Sequence, residues 1–305
     1  MFVLPDVSQV VAFALAEDLG VPAARFLDDA PASALVLARD VTTFSAIGID
    51  AHFTGRVVAR QDAVVCGLPV AAAVFDALSS AAGLFDEVEV FPLVAEGCRV
   101  EAGTPVLEID GVAAVVLAAE RSALDFLMLL SGIATETARW VSAAGPDLAV
   151  CDTRKTWPGM RLLSKYAVAV GGGTNHRVGL YDMVLVKDNH VCGAGGITAA
   201  VASAREMHPE LLVEVEADTL AQAREAASAG GDLVLLDNMS DAELAEAVLA
   251  VREIAAEGER SIATEASGMI EVQRLTTLRA TGVDRVSSSA LTLRAMPIDF
   301  GLDEG

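Results

Sequence analysis

Basic side chains concentrate in one stretch of the sequence, from residue 151 to residue 190. The chain contains only three lysines, Lys155, Lys165 and Lys187, and all of them lie in this stretch. The stretch carries a net charge of +3, whereas the whole chain of 305 residues carries −22. Arginine and lysine bind carboxylates and phosphates, so the pattern predicts a site for a ligand with several negative groups. The candidate residues of this site are Arg154, Lys155, His176, Arg177 and Lys187.

Two acidic residues and two serine-containing turns extend the candidate site. Glu216 and Asp237 each follow an apolar run, and their carboxylate oxygens suit Mg²⁺ when water and a diphosphate fill its other positions. The turns Ser267-Gly268 and Ser287-Ser288-Ser289 suit a terminal phosphate that is bound by backbone N–H groups. An anionic substrate, a metal-bound diphosphate and a sugar phosphate together point to phosphoribosyl transfer.

The elements that position these residues form a repeating pattern of short apolar runs and amphipathic segments. Such β-then-α units predict a parallel sheet, and this many of them predict a barrel. Residues just past the strands of an α/β barrel face one mouth, where active sites are built; ion pairs around the rim are the alternative explanation. The predicted strands are Leu148–Cys151, Met183–Val186, Leu211–Val215, Leu233–Leu236, Ile262–Ala266 and Arg285–Ser287, and the predicted helices are Ile197–His208, Leu220–Ala229 and Asp241–Ala256.

Composition excludes several classes of protein. The net charge of −22 argues against a general nucleic-acid-binding role, which needs a basic surface. No uncharged apolar run approaches the roughly 20 residues that span a bilayer, and residues 1–20 contain no Lys or Arg, unlike a signal peptide. The four cysteines are scattered without a C-x-x-C motif, so a disulfide scaffold or a cysteine zinc site is not expected. We expect a cytoplasmic protein with no membrane partner.

Many separated motifs resemble those of the quinolinate phosphoribosyltransferase family (nicotinate-nucleotide pyrophosphorylase, carboxylating), and they occur in the family's order. Weaker similarity at residues 17–20 and 40–43 extends the resemblance over nearly the whole chain. The main motifs are Glu120-Arg121, Asp152-Thr153-Arg154-Lys155-Thr156, Lys165-Tyr166-Ala167-Val168, Asn175-His176-Arg177, Lys187-Asp188-Asn189-His190, Glu214-Val215-Glu216, Leu236-Asp237-Asn238-Met239 and Glu265-Ala266-Ser267-Gly268.

The resemblance implies an amino-terminal α/β sandwich domain, residues 1–125, joined to an incomplete α/β barrel, residues 126–290, with residues 291–305 returning to the first domain. It implies the conversion of quinolinate and 5-phosphoribosyl 1-diphosphate to nicotinate mononucleotide, pyrophosphate and CO2, a step of NAD biosynthesis, with Mg²⁺. It also implies a homodimer in which Arg121 enters the partner's site. The implied catalytic residues are Lys155, Lys187, Glu216 and Asp237, the last two also as metal ligands, and the implied substrate-binding residues are Arg121, Arg154, Lys155, His176, Arg177, Lys187, Ser267, Gly268, Ser288 and Ser289.

Several positions depart from the family's pattern. Met269 and Ser289 stand where the family usually has glycine, and a Cβ there could block close approach if the turn requires a positive φ. Trp157 replaces a small polar residue beside the Arg-Lys pair, and Asp125 stands where Asn is usual. An apparent insertion at residues 21–39 is interpreted as a surface loop or helix.

These departures leave alternatives open. A related phosphoribosyltransferase acting on another pyridine carboxylate would keep the cations and change the loops. Relatives associated with molybdenum transport typically lose the Lys187–His190 motif, which is present here. An inactive anion-binding barrel would not need Glu216 and Asp237. A Schiff-base aldolase using Lys187 would need a desolvated lysine without neighbouring cations.

Overall fold

The computed structural model describes residues 3–27, 32–47, 51–85 and 87–305. These residues form two compact units, one of residues 1–136, 158–171 and 295–305, and one of residues 137–157 and 172–294. The helices and strands are α1 (Ser8–Leu19), α2 (Val41–Ala46), β1 (His52–Ala59), β2 (Ala63–Val64), α3 (Leu68–Ala82), β3 (Val88–Pro92), β4 (Arg99–Val100), β5 (Pro105–Val112), α4 (Ala113–Ala144), β6 (Ala149–Cys151), α5 (Arg161–Val170), β7 (Val184–Val186), α6 (Asp188–Ala194), α7 (Ile197–Met207), β8 (Val213–Ala217), α8 (Leu220–Ala229), β9 (Leu233–Asp237), α9 (Asp241–Glu257), β10 (Ala263–Ser267), α10 (Leu275–Thr281), β11 (Arg285–Ser287), α11 (Ala290–Leu293) and β12 (Phe300–Glu304).

The first unit is built on a four-stranded sheet in the order β12-β1-β5-β3, and its paired strands are antiparallel. Its core includes Val57 of β1, Ile109 of β5 and Phe75 of α3, which are almost completely buried. The carboxyl-terminal strand β12 pairs with β1, with Leu302 opposite Val57. Gly132 of α4 allows the segment before β12 to approach, since a Cβ there would collide with the backbone oxygen of Met296.

Glu96 fixes two helices of the first unit. Its carboxylate accepts hydrogen bonds from the backbone N–H groups of Gly67 (2.7 Å) and Leu68 (3.1 Å), at the start of α3. It also accepts one from the hydroxyl of Tyr166 in α5, at 2.9 Å. A carboxylate at a helix amino terminus satisfies N–H groups that lack partners within the helix. The pKa of Tyr166 rises above its ordinary range because the phenol is partly buried beside this negative charge.

The apparent insertion is more structured than a surface loop. Its described residues, 21–27 and 32–39, contain two short 3₁₀ helices, Ala23–Phe26 and Ala34–Arg39. Phe26 and Leu37 are buried, and Nε of Arg39 donates to the backbone oxygen of Leu19 at 3.0 Å. The segment therefore contributes apolar side chains to the core. Residues 28–31 lie outside the described part of the chain.

The second unit contains the parallel sheet that the sequence predicts. Its six strands follow the order β6-β11-β10-β9-β8-β7, every neighbouring pair is parallel, and β6 and β7 are the two end strands of the sheet. The fold class is therefore confirmed as an incomplete α/β barrel with an amino-terminal sheet domain. Side chains such as Val215, Leu236 and Val286 are completely buried. A capping box formed by Ser240 and Glu243 begins α9, and Gly230 ends α8 in the left-handed conformation.

The predicted strands and helices differ from the observed ones at their boundaries. The strand β8 starts two residues later than predicted and continues through Glu216 to Ala217. Likewise, Asp237 and Ser267 are the last residues of β9 and β10 and pair with each other in the ladder. The units also divide the chain differently from the predicted domain limits, because residues 126–136 and 158–171 belong to the first unit and residues 291–294 to the second. No described helix is long and apolar enough to cross a membrane.

Candidate active site

The carboxyl ends of four neighbouring strands, β6, β11, β10 and β9, open into one cavity of about 430 Å³. The turns predicted to hold a phosphate lie in its wall, and Lys155 and Asp237 line it as well. The cavity combines cationic, hydroxyl and carboxylate groups, as a sugar phosphate requires. Its polar lining consists of Thr153, Lys155, Asp237, Asn238, Ser267, Glu271, Ser287, Ser288, Ser289 and Arg294.

The turn after β10 needs positive φ angles at two consecutive residues. Gly268 has φ +89° and Met269 has φ +42°. A Cβ at Gly268 would lie 2.9 Å from the backbone nitrogen of Asn238 and would collide with that residue's side-chain oxygen. Met269 adopts a conformation that is unfavourable for a residue with a Cβ, and its side chain is 90% exposed. The first departure from the family's glycines is thus accommodated with backbone strain.

The turn after β11 has no such requirement. Ser289 has φ −75°, a value that any residue adopts. The backbone N–H of Ser288 donates to the oxygen of Cys151 at 3.1 Å, and the hydroxyl of Ser288 accepts from the backbone N–H of Ala290 at 3.2 Å. The second departure therefore adds a hydroxyl to the cavity without backbone strain.

Hydrogen bonds fix the segment that follows β6. The buried carboxylate of Asp152 accepts from the side-chain amide of Asn175 and from the backbone N–H of His176, both at 2.8 Å. The backbone N–H of Lys155 donates to Oγ1 of Thr153 at 3.0 Å, and the backbone oxygen of Lys155 accepts from the hydroxyl of Thr292 at 2.7 Å. This arrangement holds Lys155 beside the turn after β11.

Other predicted cations lie outside the lining of this cavity but within the same unit. Nη1 of Arg177 donates to the backbone oxygen of Met183 at 3.1 Å. The pKa of Arg177 is lowered, chiefly by burial and also by the charge of Arg154, whereas the charges of Glu214 and Asp182 act in the opposite direction. A bound anion would favour the charged form of Arg177.

Lys187 follows the end of β7 and forms an ion pair with Glu216 of the neighbouring strand β8. The backbone N–H of Lys187 donates to Nδ1 of His190 at 2.9 Å. His190 therefore fixes the start of α6 and, with it, the backbone of Lys187. Glu216 aligns with Leu235 of β9, two residues before Asp237, which places both predicted metal ligands at the same edge of the sheet.

His176 lies in a buried ionic network rather than in the lining of the cavity. Its Nε2 lies 2.9 Å from Glu214 and 3.5 Å from Glu265. Arg285 pairs with the same two carboxylates, at 3.2 Å and 2.5 Å. Burial alone would lower the pKa of His176, but hydrogen bonds to Glu214 and Glu265 outweigh burial and raise it to about 9. His176 and the two glutamates offer metal-ligand atoms within 4.8 Å of one another, but Arg285 and protonated His176 together already balance the charge of the two carboxylates.

Arg121 lies in the first unit, on α4, and lines a separate cavity of about 290 Å³ together with Glu17 and Asp18. Its Nη1 lies 3.3 Å from the carboxylate of Asp125, one turn further along the helix, and the side chains of both residues are more than half exposed. Asp125, the departure from the usual Asn, is therefore an ionic partner of Arg121. Trp157 is also exposed.

Six of the predicted site residues line the cavity, and so does Ser287 of the predicted phosphate turn; the six are Lys155, Asp237, Ser267, Gly268, Ser288 and Ser289. The sequence did not identify Arg294, whose position after the last barrel strand was the available signal. It also missed the roles of Glu214, Glu265 and Arg285, although carboxylates inside apolar runs such as Val213–Val215 are a signal for buried ion pairs.

Comparison with family descriptions matches the chain in two parts. Residues 40–131 match the amino-terminal domain of quinolinate phosphoribosyl transferase, and residues 133–303 match its carboxyl-terminal domain. A nicotinate-nucleotide pyrophosphorylase (carboxylating) of Mycobacterium leprae is 38% identical over 87% of this chain and 90% of its own length. A probable enzyme of the same name from Synechocystis is 40% identical over 84% of both chains.

Solved structures show the same similarity over nearly the whole chain. The crystal structure of NadC from Streptococcus pyogenes has a TM-score of 0.84 and 35% identity, covering 97% of this chain and 95% of its own. The nicotinate-nucleotide pyrophosphorylase from Ehrlichia chaffeensis also has a TM-score of 0.84, with 30% identity, and covers 99% of this chain and all of its own.

Proposed function

The chain belongs to the quinolinate phosphoribosyltransferase family, and we propose on this basis that it converts quinolinate and 5-phosphoribosyl 1-diphosphate to nicotinate mononucleotide, pyrophosphate and CO2. It is a pentosyltransferase of NAD biosynthesis. The observation that carries this function to the site is the cavity at the strand ends, where Lys155, Asp237 and serine hydroxyls converge. The pairing of Lys187 with Glu216 and the electrostatic interaction between Arg154 and Arg177 support the same assignment.

The residue types fit the transfer step. As pyrophosphate leaves C1 of the ribose, positive charge develops on the sugar and negative charge on the leaving group. We assign Lys155 and Lys187 to the leaving diphosphate, because fixed cations stabilise charge that develops in the transition state. We assign Glu216 and Asp237 to the sugar side, where carboxylates tolerate the positive ring. Nitrogen of the pyridine forms the new bond to C1.

Decarboxylation then follows on the ribosylated pyridine. The ring nitrogen is now cationic, so it accepts the electron pair of the breaking bond between C2 and its carboxylate. CO2 leaves, and C2 takes a proton from water. The decarboxylation needs positioning more than a general base.

The remaining predicted residues are assigned to the two ends of the substrates. We assign Arg154 and Arg177 to the two carboxylates of quinolinate, and we assign His176 a supporting role, because it fixes the backbone next to Arg177. The residues assigned to the 5′-phosphate of the sugar are Ser267, Gly268, Ser288 and Ser289.

We further propose Glu216 and Asp237 as ligands of Mg²⁺. Two carboxylates at the ends of neighbouring strands match the oxygen ligands that this ion prefers, with water and phosphate oxygens completing the set. Glu216 is already directed at a positive group, the ammonium of Lys187. When bound, Mg²⁺ neutralises the negative charge of the diphosphate.

We also propose a homodimer in which Arg121 enters the partner's site. The exposure of Arg121 supports this, and its ion pair with Asp125 is no obstacle, because an exposed pair contributes only about 0–1 kcal/mol. We place the enzyme in the cytoplasm, with small anionic molecules as partners and no nucleic acid or membrane. The four cysteines are free thiols, which fits a reducing compartment.

One assay tests the proposed reaction. Purified protein supplied with quinolinate, 5-phosphoribosyl 1-diphosphate and Mg²⁺ should form nicotinate mononucleotide, measured by chromatography. Lys155→Ala and Glu216→Ala should each reduce turnover at least about 100-fold, because each removes charge that faces the transition state. Arg224→Ala is the control, since Arg224 is an exposed residue of α8 outside the cavity. Binding of quinolinate without turnover would instead favour a relative that acts on another pyridine carboxylate or only binds anions.

A further inference from the structure

The cavity contains a second cation that belongs to none of the motifs shared with the family. Arg294 lines the cavity together with Lys155, and these two residues supply all the positive charge of the lining. Arg294 directly follows α11, and its backbone N–H donates to the oxygen of Ala290 at 3.2 Å.

Hydrogen bonds tie the segments that carry the two cations together. Thr292, two residues before Arg294, is buried and donates its hydroxyl proton to the backbone oxygen of Lys155 at 2.7 Å. A further hydrogen bond, from the backbone N–H of Ser288 to the oxygen of Cys151, joins the same two segments at 3.1 Å. The backbone segments that carry the two cations therefore belong to one hydrogen-bonded structure. Such preorganisation reduces the entropy lost when a ligand is bound.

The charge environment of Arg294 favours an anionic ligand. Its side chain is exposed, and among the described residues no carboxylate oxygen lies within 4 Å of its guanidinium. This is notable in a chain with 43 acidic residues and a net charge of −22. The lining contains two carboxylates, those of Asp237 and Glu271, and neither forms an ion pair with Arg294. The remaining neighbours supply five hydroxyl groups, from Thr153, Ser267, Ser287, Ser288 and Ser289.

We propose that Arg294 is a substrate-binding residue that holds the 5′-phosphate of the phosphoribosyl substrate in this cavity. A guanidinium donates two parallel hydrogen bonds to phosphate oxygens, whereas an ammonium acts as a point charge. Serine hydroxyls and backbone N–H groups supply the remaining donors. The identity of the ligand as a phosphoribosyl group rests on the proposed function. That the ligand is an anion rests on the residues of the cavity alone.

Binding and turnover of three variants test the assignment. Arg294→Gln removes the positive charge, and Arg294→Lys keeps the charge but loses the two parallel hydrogen bonds of the guanidinium. Arg224→Gln is the control, because it removes an exposed arginine outside the cavity. Calorimetric titration with ribose 5-phosphate measures binding without catalysis. We expect Arg294→Gln to weaken this binding 10- to 100-fold, as loss of a charge-assisted contact does, and to raise KM for 5-phosphoribosyl 1-diphosphate similarly. KM for quinolinate should stay within about twofold, and Arg294→Lys should be intermediate.

The outcomes separate this assignment from the proposed function. Equal binding of ribose 5-phosphate by wild type and Arg294→Gln would overturn the role of Arg294, and so would absence of binding by wild type. Wild type that binds ribose 5-phosphate but does not turn over quinolinate would contradict the reaction only, and the comparison of variants would still test Arg294. Equal melting temperatures of the three variants are expected, because both arginines are exposed.

Discussion

At the scale of single residues, His176 shows how burial changes the role of a side chain. The sequence groups it with the substrate-binding cations, but its imidazole faces Glu214 and Glu265, with Arg285 on the same carboxylates. Its backbone N–H binds Asp152, and its neighbour in the chain is Arg177. We infer that this buried network fixes the position of the segment that carries Arg177. Removing one partner of a buried ion pair leaves an uncompensated charge, which costs roughly 3–5 kcal/mol.

The raised pKa of His176, about 9, predicts a pH-dependent stability. A group whose pKa is higher in the folded state stabilises that state fully below its unfolded pKa of about 6.5, and the contribution is lost as pH rises through 9. The free energy of unfolding should therefore fall by up to about 3 kcal/mol between pH 6.5 and pH 9. Urea unfolding across this range measures it.

Two variants isolate the contribution of His176. In His176→Gln the slope should disappear, whereas His52→Gln, at an exposed position of β1, should retain it. The backbone N–H of Arg177 points at Nδ1 of His176 at 2.8 Å and opposes protonation there. A wild-type profile as flat as that of His176→Gln would mean that Nδ1 stays an acceptor and that the imidazole is neutral.

At the scale of elements, the two loops that depart from the family's glycines differ in backbone geometry. Met269 has φ +42° and Ser289 has φ −75°. Met269→Gly should therefore stabilise the protein by about 1 kcal/mol, because it relieves left-handed strain that exceeds the entropy cost of glycine. Ser289→Gly should destabilise it by roughly 0.5–1 kcal/mol, because only the entropy cost applies. Thermal unfolding of both variants measures these changes. Melting temperatures that shift in the same direction in the two variants would contradict the prediction.

The contrast between these loops marks how far the sequence can predict the fold. Apolar runs predicted the six parallel strands to within two residues, because this signal is local. The end of β8 was missed, since Glu216 looks like a residue outside the strand yet pairs within the ladder. The network between Glu214 and Glu265 was also missed, because it depends on which strands are neighbours. The amino-terminal sheet was expected only from the family resemblance, as its strands give weaker local patterns.

At the scale of the whole molecule, the distribution of charge separates the site from the rest of the surface. Of the three lysines, Lys155 lines the cavity, Lys187 pairs with Glu216, and Lys165 is completely buried in α5. Lys165 is thus the buried one of the three, whereas Lys155 is exposed in the cavity wall. Because residues 151–190 carry a net charge of +3, the net charge of −22 belongs to the rest of the chain.

The proposed assembly predicts that two inactive variants restore each other's activity. If Arg121 acts in the partner's site and Lys187 in its own, a heterodimer of Arg121→Ala and Lys187→Ala contains one intact site and one site that lacks both residues. Random pairing of equal amounts makes half of the dimers mixed, so about a quarter of the wild-type sites should be intact. Co-expression of the two variants with different affinity tags, followed by an activity assay, measures this fraction.

The matched control for this experiment pairs Lys155→Ala with Lys187→Ala. Both lysines lie in the second unit of one chain, so every site in the mixed dimer lacks one of them and no activity should return. Recovery in the first mixture but not in the second requires that Arg121 and Lys187 of one site come from different chains, because subunit exchange is equal in both. Activity of the first mixture no higher than that of its separate variants would rule out the shared site, and each subunit would then have to bind its substrates without the partner's Arg121.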